Sequence, residues 1–518
     1  MSGLIHHAKQ SPSRPAFVLG DGEFVETYGE LEARSRHIAL WLRGLGLMEG
    51  DCVAALLGNI PSFFDIYWAT QRLGLYLTPL NWHLSAPEIA YIVENCDARV
   101  LIAGAGVGEV AAPLPSLLAG QLDGSYSVEG TVDGYRPLEP ELARVPLTAL
   151  EGQRAGSVML YSSGTTGKPK GIRKALPDCA FDDPAWTQAQ PRFVRLFGFD
   201  EHDRYLCPAP LYHAAPMRSC AAMQVLGATV HVMPKFDAVA ALRTIERERI
   251  TVSQWVPTHF RRLLDLPNEV RSDFDVSSLR VAVHAAAPCP RHVKEAMIDW
   301  WGPVLLEYYA GTEGGGTLID SHEWLVHPGS VGRPWSGVDV RILDNNDAEV
   351  AVPGTVGAIY FRDRGAGITR FEYHKDQGKS AQVYRGEWFT LGDLGYRDAD
   401  GFLYLTDRQS DMIISGGVNI YPQETENCLL MHPGVADAAV IGVPDEAMGE
   451  AVRAVVVVRA GQRADAAFGE ELIRYARSQI AHYKCPRGVE FVDTLPRTET
   501  GKLQRRVLRD RHRETVAA

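Results

Sequence analysis

Apolar positions along the first hundred residues of this chain switch between two spacings. Residues 30–45 place them at helical intervals up to Gly46, which predicts an amphipathic helix ending there. The unbroken run CVAALL (52–57) predicts a buried strand. Residues 61–73 predict a second helix closed by Gly74, and LYLTPL (75–80) a second strand. Ser85-Ala86-Pro87-Glu88 is a capping box with proline in the first turn, so a helix is expected from there to about Cys96. RVLIA (99–103) is the next strand. Strands alternating with helices predict an α/β architecture with parallel pairing. The rhythm returns at 228–233, 238–248, 252–256 and 280–286, read as strand, helix, strand and strand. Residues 111–150 are rich in proline and glycine and read as an irregular excursion or short strands.

The texture changes after about residue 400. GFLYLT (401–406), AAVIGV (438–443), AVVVV (454–458) and VEFVD (489–493) read as strands, with a helix over 468–481. That is a small α+β unit, with its boundary near 406–417. A chain of 518 residues also exceeds one core, since cores stop growing at roughly 250–300 residues. At least two domains are expected.

Composition narrows the class. The 46% hydrophobic and 22% charged residues are ordinary for a globular protein. The formal charge of −12 disfavours nucleic acid or an anionic membrane as partner. The chain has no apolar run of transmembrane length, and its N-terminus has no secretory apolar region. Eight scattered cysteines without C-x-x-C pairs argue against a zinc site or a disulfide scaffold, and for reduced thiols. A cytoplasmic enzyme, monomeric or homodimeric, is the expectation.

Two phosphate motifs are excluded by single residues. GAGVGEV (104–110) follows a strand, but Glu109 occupies the last glycine position of a dinucleotide fingerprint, so a turn is expected. YSSGTTGKPKG (161–171) is not a Walker loop, because Ser162 and Pro169 replace the required glycine and hydroxyl residue. Its chemistry still suits phosphate. Glycines let backbone N–H groups converge on an anion, Ser and Thr add donors, and Lys168 and Lys170 add charge.

This stretch resembles the signature loop of the adenylate-forming superfamily, which includes acyl-CoA synthetases, nonribosomal-peptide adenylation domains and beetle luciferases. Further segments resemble that family's motifs in the same order, over nearly the whole chain. The resemblance implies that Ser162, Ser163, Gly164, Thr165, Thr166, Gly167 and Lys170 hold the ATP phosphates. HAAAPCP (284–290) corresponds to an adenine-contacting turn, with Ala286 at the nucleotide. In YYAGTEG (308–314), Tyr309 would lie along adenine, Thr312 at the α-phosphate and Glu313 on Mg²⁺. In 389–413, Asp393 and Arg408 would bind ribose and Ser410 would be the hinge. Lys502, in LPRTETGKLQRR, would be the adenylation lysine, with Gly501 turning the chain to project it. Thr166, Glu313 and His213 join Lys502 in the catalytic set. His213, Ala214, Ala215, Trp255, Ala310, Gly311, Gly314 and Gly315 would line the acyl pocket, with glycines 314–316 widening it. Gly416 and Gly417 would line the tunnel for coenzyme A.

The implied fold is α/β. A large N-terminal AMP-binding domain (1–408) has subdomains of mixed sheets flanked by helices, and a small mobile α+β domain (409–518) follows. The implied activity uses ATP and Mg²⁺ to join a carboxylic acid to coenzyme A through an acyl-adenylate. The alternative is an adenylate-forming ligase that passes the acyl group to an amine. The small residues at 214, 215 and 314–316 suit a bulky aromatic or alicyclic acid.

Overall fold

The computed structural model describes residues 3–162, 169–344, 346–364, 370–408, 411–415, 418–445, 448–498 and 501–517. The chain forms two compact units. The first comprises Met1–Trp255, Leu266–Val283 and Gly365–Gln382; the second comprises Val256–Asp265, His284–Arg364 and Val383–Ala518.

In the first unit, a six-stranded sheet runs in the order Arg136–Pro137, Gly124–Val128, Ala98–Gly104, Cys52–Leu56, Tyr76–Pro79, Ser157–Val158. Every pairing in it is parallel. All five residues of Cys52–Leu56 are buried, which is why the strand reads as an apolar run without alternation. The helix Tyr28–Gly44 begins before its apolar pattern does. Glu30 N donates to Thr27 Oγ1 at 3.3 Å and Thr27 N to Glu30 Oε2 at 2.9 Å, a polar cap that periodicity cannot register. The Ser85 capping box starts a helix over Ala86–Asn95, as expected. Residues 111–150 contain the short-strand alternative: Gly124–Val128 pairs with Ala98–Gly104, and short helices stand on either side. These pieces are too short to show a period. GAGVGEV forms a 3₁₀ turn and one helical turn, Ala105–Val107 and Gly108–Ala111, whose Val107 and Ala111 enter the core.

A second set of strands in this unit runs Val252–Trp255, Arg204–Cys207, Thr229–Val232, Pro15–Leu19, Phe24–Thr27. A third sheet joins Phe371–Tyr373, Lys170–Lys174 and Leu160–Ser162, all antiparallel.

In the second unit, the strands Leu305–Tyr309, Thr317–Asp320 and Arg333–Pro334 pair in that order. An antiparallel sheet runs Val338–Leu343, Gly357–Asp363, Trp388–Arg397, and the last of these also pairs with Tyr384–Arg385 and Leu403–Arg408. Towards the C-terminus, Val435–Asp445 and Gly449–Val458 form a long antiparallel ladder, with Gly488–Phe491 parallel to the second strand. Both faces of this ladder are buried. Val440 and Val456 meet Leu429 and Leu472 on one side, and Ala439, Ile441 and Val455 meet Leu508 on the other. The continuous apolar runs at 438–443 and 454–458 follow from that double burial. The fold is therefore the expected α/β body of mixed sheets with an α+β C-terminal portion.

Candidate active site

The residues expected to hold the phosphates are framed by two strands. Leu160–Ser162 and Lys170–Lys174 run antiparallel, with Ser162 opposite Lys170 and Tyr161 opposite Gly171. A Cβ on Gly171 would come within 2.9 Å of the Tyr161 ring, so close strand contact requires glycine there. Tyr161 is anchored by its hydroxyl, which donates to Asn95 Oδ1 at 2.6 Å. Lys170 Nζ sits 5.7 Å from the centroid of Tyr373. Ser163, Gly164, Thr165, Thr166, Gly167 and Lys168 lie outside the described residues.

Residues expected at the nucleotide meet in the second unit. Tyr309 ends the strand Leu305–Tyr309, and its hydroxyl donates to Asp393 Oδ2 at 2.6 Å. Asp393 stands directly across the ladder from Arg408, of which the backbone alone is described. Beneath Tyr309, the fully buried Lys294 donates to Glu307 Oε2 at 2.6 Å and lies 4.7 Å over Trp324. His284 is fully buried beside them, its Nε2 at 3.7 Å from Glu307. Burial first, and then the Lys294 charge, holds its pKa well below the usual imidazole value, so it is neutral. His284 therefore sits in the core behind the HAAAPCP turn. Ala286, on the turn itself, has φ of 77°, a left-handed conformation that L side chains resist.

The YYAGTEG segment closes on itself, with Gly311 N donating to Gly314 O at 3.1 Å. Gly314, Gly315 and Gly316 have φ of 145°, 72° and 157°. Gly315 N donates to Asp363 Oδ1 at 3.2 Å. Sequence reasoning expected these glycines to widen an acyl pocket. A Cβ would strike Asp363 at 314, Phe361 at 315 and Trp335 at 316. The same holds at Gly311, against Leu391. Left-handed backbone and close packing account for the glycines.

On the acyl-side segment, His213 caps the helix Ala214–Leu226, and Ala214 and Ala215 are half-buried in its first turn. Burial, with His83 nearby, lowers the His213 pKa to about 4, so the ring is neutral. Among the described residues its Nε2 has no hydrogen-bond partner, and Tyr212 lies 4.4 Å away, centroid to centroid. Asn59 fixes this loop. It accepts from Leu211 N at 2.8 Å and donates to Ala209 O at 3.1 Å and Met233 O at 2.8 Å. Trp255 is 1% exposed and donates to Ser253 Oγ at 2.7 Å, which makes it part of the sheet core.

Lys502 follows a tight turn. Gly501 has φ of 79° and its N donates to Thr498 O at 2.8 Å, while Thr498 N donates to Lys502 O at 2.9 Å. Upstream, Gln409, Ser410, Gly416 and Gly417 lie outside the described residues. Asp411, next to the expected hinge, accepts from Arg505 at 3.3 Å and Arg509 at 3.1 Å.

Residues 4–370 match the family described as AMP-binding enzyme, and residues 424–502 match the AMP-binding enzyme C-terminal domain. The chain belongs to the AMP-binding enzyme family. This is the adenylate-forming superfamily, and the chain is an enzyme of its AMP-forming acid–thiol ligase group. A long-chain-fatty-acid–CoA ligase, FadD13 of Mycobacterium tuberculosis, is 31% identical over 99% of this chain and 98% of its own length. A feruloyl-CoA synthase of Amycolatopsis sp is 34% identical over 98% of both chains. Among solved structures, the amide bond synthetase McbA from Marinactinospora thermotolerans superimposes with a TM-score of 0.81 at 29% identity, covering 96% of each chain.

For an AMP-binding enzyme, Glu313 fits one protein ligand to Mg²⁺. Its carboxylate is a hard oxygen donor, and Mg²⁺ takes most of its other ligands from water and phosphate. Three contributors escaped sequence reasoning: Asn59, the Lys294–Glu307 pair and Asp437, which holds the Lys502 turn through Arg497. Asn59 alone left a trace, as a polar residue between an apolar strand and an apolar helix. Among the described residues, no helix is long and apolar enough to cross a membrane.

Proposed function

We propose that the protein activates a ring-bearing carboxylic acid with ATP and transfers it to coenzyme A. In the first step a carboxylate oxygen attacks the α-phosphorus, the bond to the β-phosphate oxygen breaks, and pyrophosphate leaves. In the second, the coenzyme A sulfur attacks the acyl carbon, the carbon–oxygen bond to phosphorus breaks, and AMP leaves. The protein's contribution is positioning and charge neutralisation, because the substrates carry both nucleophile and leaving group.

We assign the phosphates to Ser162, Lys170 and the loop between them, adenine to Tyr309 and the Ala286 turn, and ribose to Asp393 and Arg408. Thr312 is assigned to the α-phosphate. When bound, Mg²⁺ would supply charge neutralisation at the phosphates, held on the protein side by Glu313. Lys502 is assigned to the first step, between carboxylate and α-phosphate. Ser410, just past the boundary at 408/409, is taken as the pivot of a rotation that exchanges Lys502 for Gly416–Gly417 between steps. The observation that supports this assignment is the 2.6 Å bond from Tyr309 to Asp393, which joins two motifs 84 residues apart.

The acid is assigned to the neighbourhood of His213, Ala214 and Ala215. A neutral imidazole and two small side chains suit an uncharged ring better than a polar group. The feruloyl-CoA synthase favours such an acid, whereas FadD13 points to an aliphatic chain. McbA favours the second reading, transfer to an amine. A cytoplasmic setting agrees with eight free thiols.

Pyrophosphate release across cinnamic, aryl-acetic, alicyclic and fatty acids, with coenzyme A and then amines as acceptor, tests these assignments. Pyrophosphate, AMP and a thioester are expected with ring-bearing acids. ADP and phosphate as products would overturn adenylation, and amide without thioester would move the acceptor to the alternative.

A further inference from the structure

The turn that carries Lys502 is held from outside by one helix. Pro257–Leu264 presents Thr258 and Arg261 one turn apart, on one face. Thr258 abuts Gly501 so closely that a Cβ there would lie 2.7 Å from its Cγ2. Arg261 reaches Asp437: Nη1 is 3.4 Å from Oδ1, and Nη2 donates to the Ala436 carbonyl. Asp437 in turn accepts both arms of Arg497 at 2.9 Å, and Arg497 Nη1 donates to Gly501 O at 2.8 Å. One carboxylate thus joins two guanidinium groups, and the second ends on the residue before Lys502.

These contacts divide into two kinds. Asp437, Arg497 and Gly501 all belong to the C-terminal portion and would travel with it. Thr258 and Arg261 precede the pivot by more than a hundred residues in sequence. Their contacts exist only while the Lys502 turn lies against this helix. Asp437 and Arg497 are 14% and 25% exposed in their side chains, so the ion pair with Arg261 (30% exposed) is partly shielded from water.

We propose that Arg261 is a positioning residue for the adenylation step, a clasp that holds the Lys502 turn in place through Asp437 and Arg497 and that opens before thioester formation. The inference rests on Lys502 being the adenylation lysine. Arg261 acts through the turn, by way of Asp437 and Ala436.

The test is single-turnover kinetics of both half-reactions in the full chain, using the acid that releases pyrophosphate fastest in the panel above. Losing the partly shielded ion pair to Asp437 and the bond to the Ala436 carbonyl should slow adenylation in Arg261→Ala about tenfold. Thioester formation from the preformed acyl-adenylate and coenzyme A should keep its rate. Arg261→Lys should recover most of the loss, since a shorter-range cation still reaches Asp437. A purely structural role would slow both steps alike, and that result, or no change in either, overturns the clasp. Lys502→Ala is the separate control: if it leaves adenylation intact, the role of Lys502 falls. The clasp is then decided by hydrogen exchange at residues 498–502 without substrate. Faster exchange in Arg261→Ala, restored in Arg261→Lys, supports it, and unchanged exchange refutes it.

Discussion

Tyr309→Phe removes one hydroxyl and leaves the ring in place against Phe361, 5.7 Å away between centroids. What is lost is the donation to Asp393 Oδ2 at 2.6 Å, a length within the range of O–H···O⁻ bonds. Hydrogen bonds to charged groups contribute about 1.5–3 kcal/mol net. This one is partly buried, so the lower end applies, about 1.5 kcal/mol, or roughly tenfold in binding. Ribose lies away from the reacting phosphorus, so the loss should fall on ground-state and transition-state binding together. KM for ATP should therefore rise about tenfold in pyrophosphate-release assays at saturating acid, with kcat nearly unchanged. Asp393→Asn should raise it as well, and the double variant should cost less than the sum, because one change removes the bond and the other weakens it by taking away the acceptor's charge. An unchanged KM for ATP in Tyr309→Phe, or strict additivity in the double variant, would refute the coupling of these two residues at the nucleotide.

Glu313→Gln keeps the shape and removes the charge that favours Mg²⁺, so activity should demand far higher Mg²⁺; full activity at limiting Mg²⁺ would count against Glu313. Ala286→Gly should stabilise the fold by about 0.5–1 kcal/mol in urea titration, the left-handed penalty less the added unfolded-state entropy. The β-branched Ala286→Val should destabilise it, and a reversed order would mean the turn is unstrained. Glu26 and Asp65 are 5% and 4% exposed, and both are held above the usual carboxyl range, chiefly by burial. Arg34, at 3.6 Å from Asp65, opposes the shift, while Glu129, Glu139 and Glu30 add to it. The folded state thus keeps protons that the unfolded chain releases. Stability from this pair is complete below the ordinary carboxyl pKa and falls as pH rises through the folded values. Glu26→Gln should flatten that decline in denaturation midpoints measured from about pH 5 to about pH 9; an unchanged slope would rule the pair out.

The motifs of the candidate site could be picked out in the sequence because each is local. A phosphate loop needs small residues and donors at neighbouring positions, and a turn that projects a lysine needs glycine beside it. Gly501, with φ of 79°, meets that need. The glycines at 314–316 show the limit of such inference. Their number and place were plain, but the neighbours that leave no room for a side chain were not, since Phe361 and Trp335 arrive from strands and loops distant in sequence. Helix starts were missed by two residues at Tyr28 because a polar cap lies outside the apolar period that reveals the helix.

By itself the sequence determined the α/β alternation, the family and the order of its nucleotide motifs, because each is written in consecutive residues whose types the local chemistry demands. Only the tertiary structure decided which charges meet. Nothing in the neighbourhood of Lys294 announces that it will be fully buried against Glu307, or near Arg261 that it will reach Asp437. Any arginine has the length and charge to pair with any aspartate. Which pair forms depends on the desolvation and distance that the folded chain imposes, and those belong to the whole fold rather than to any stretch of it.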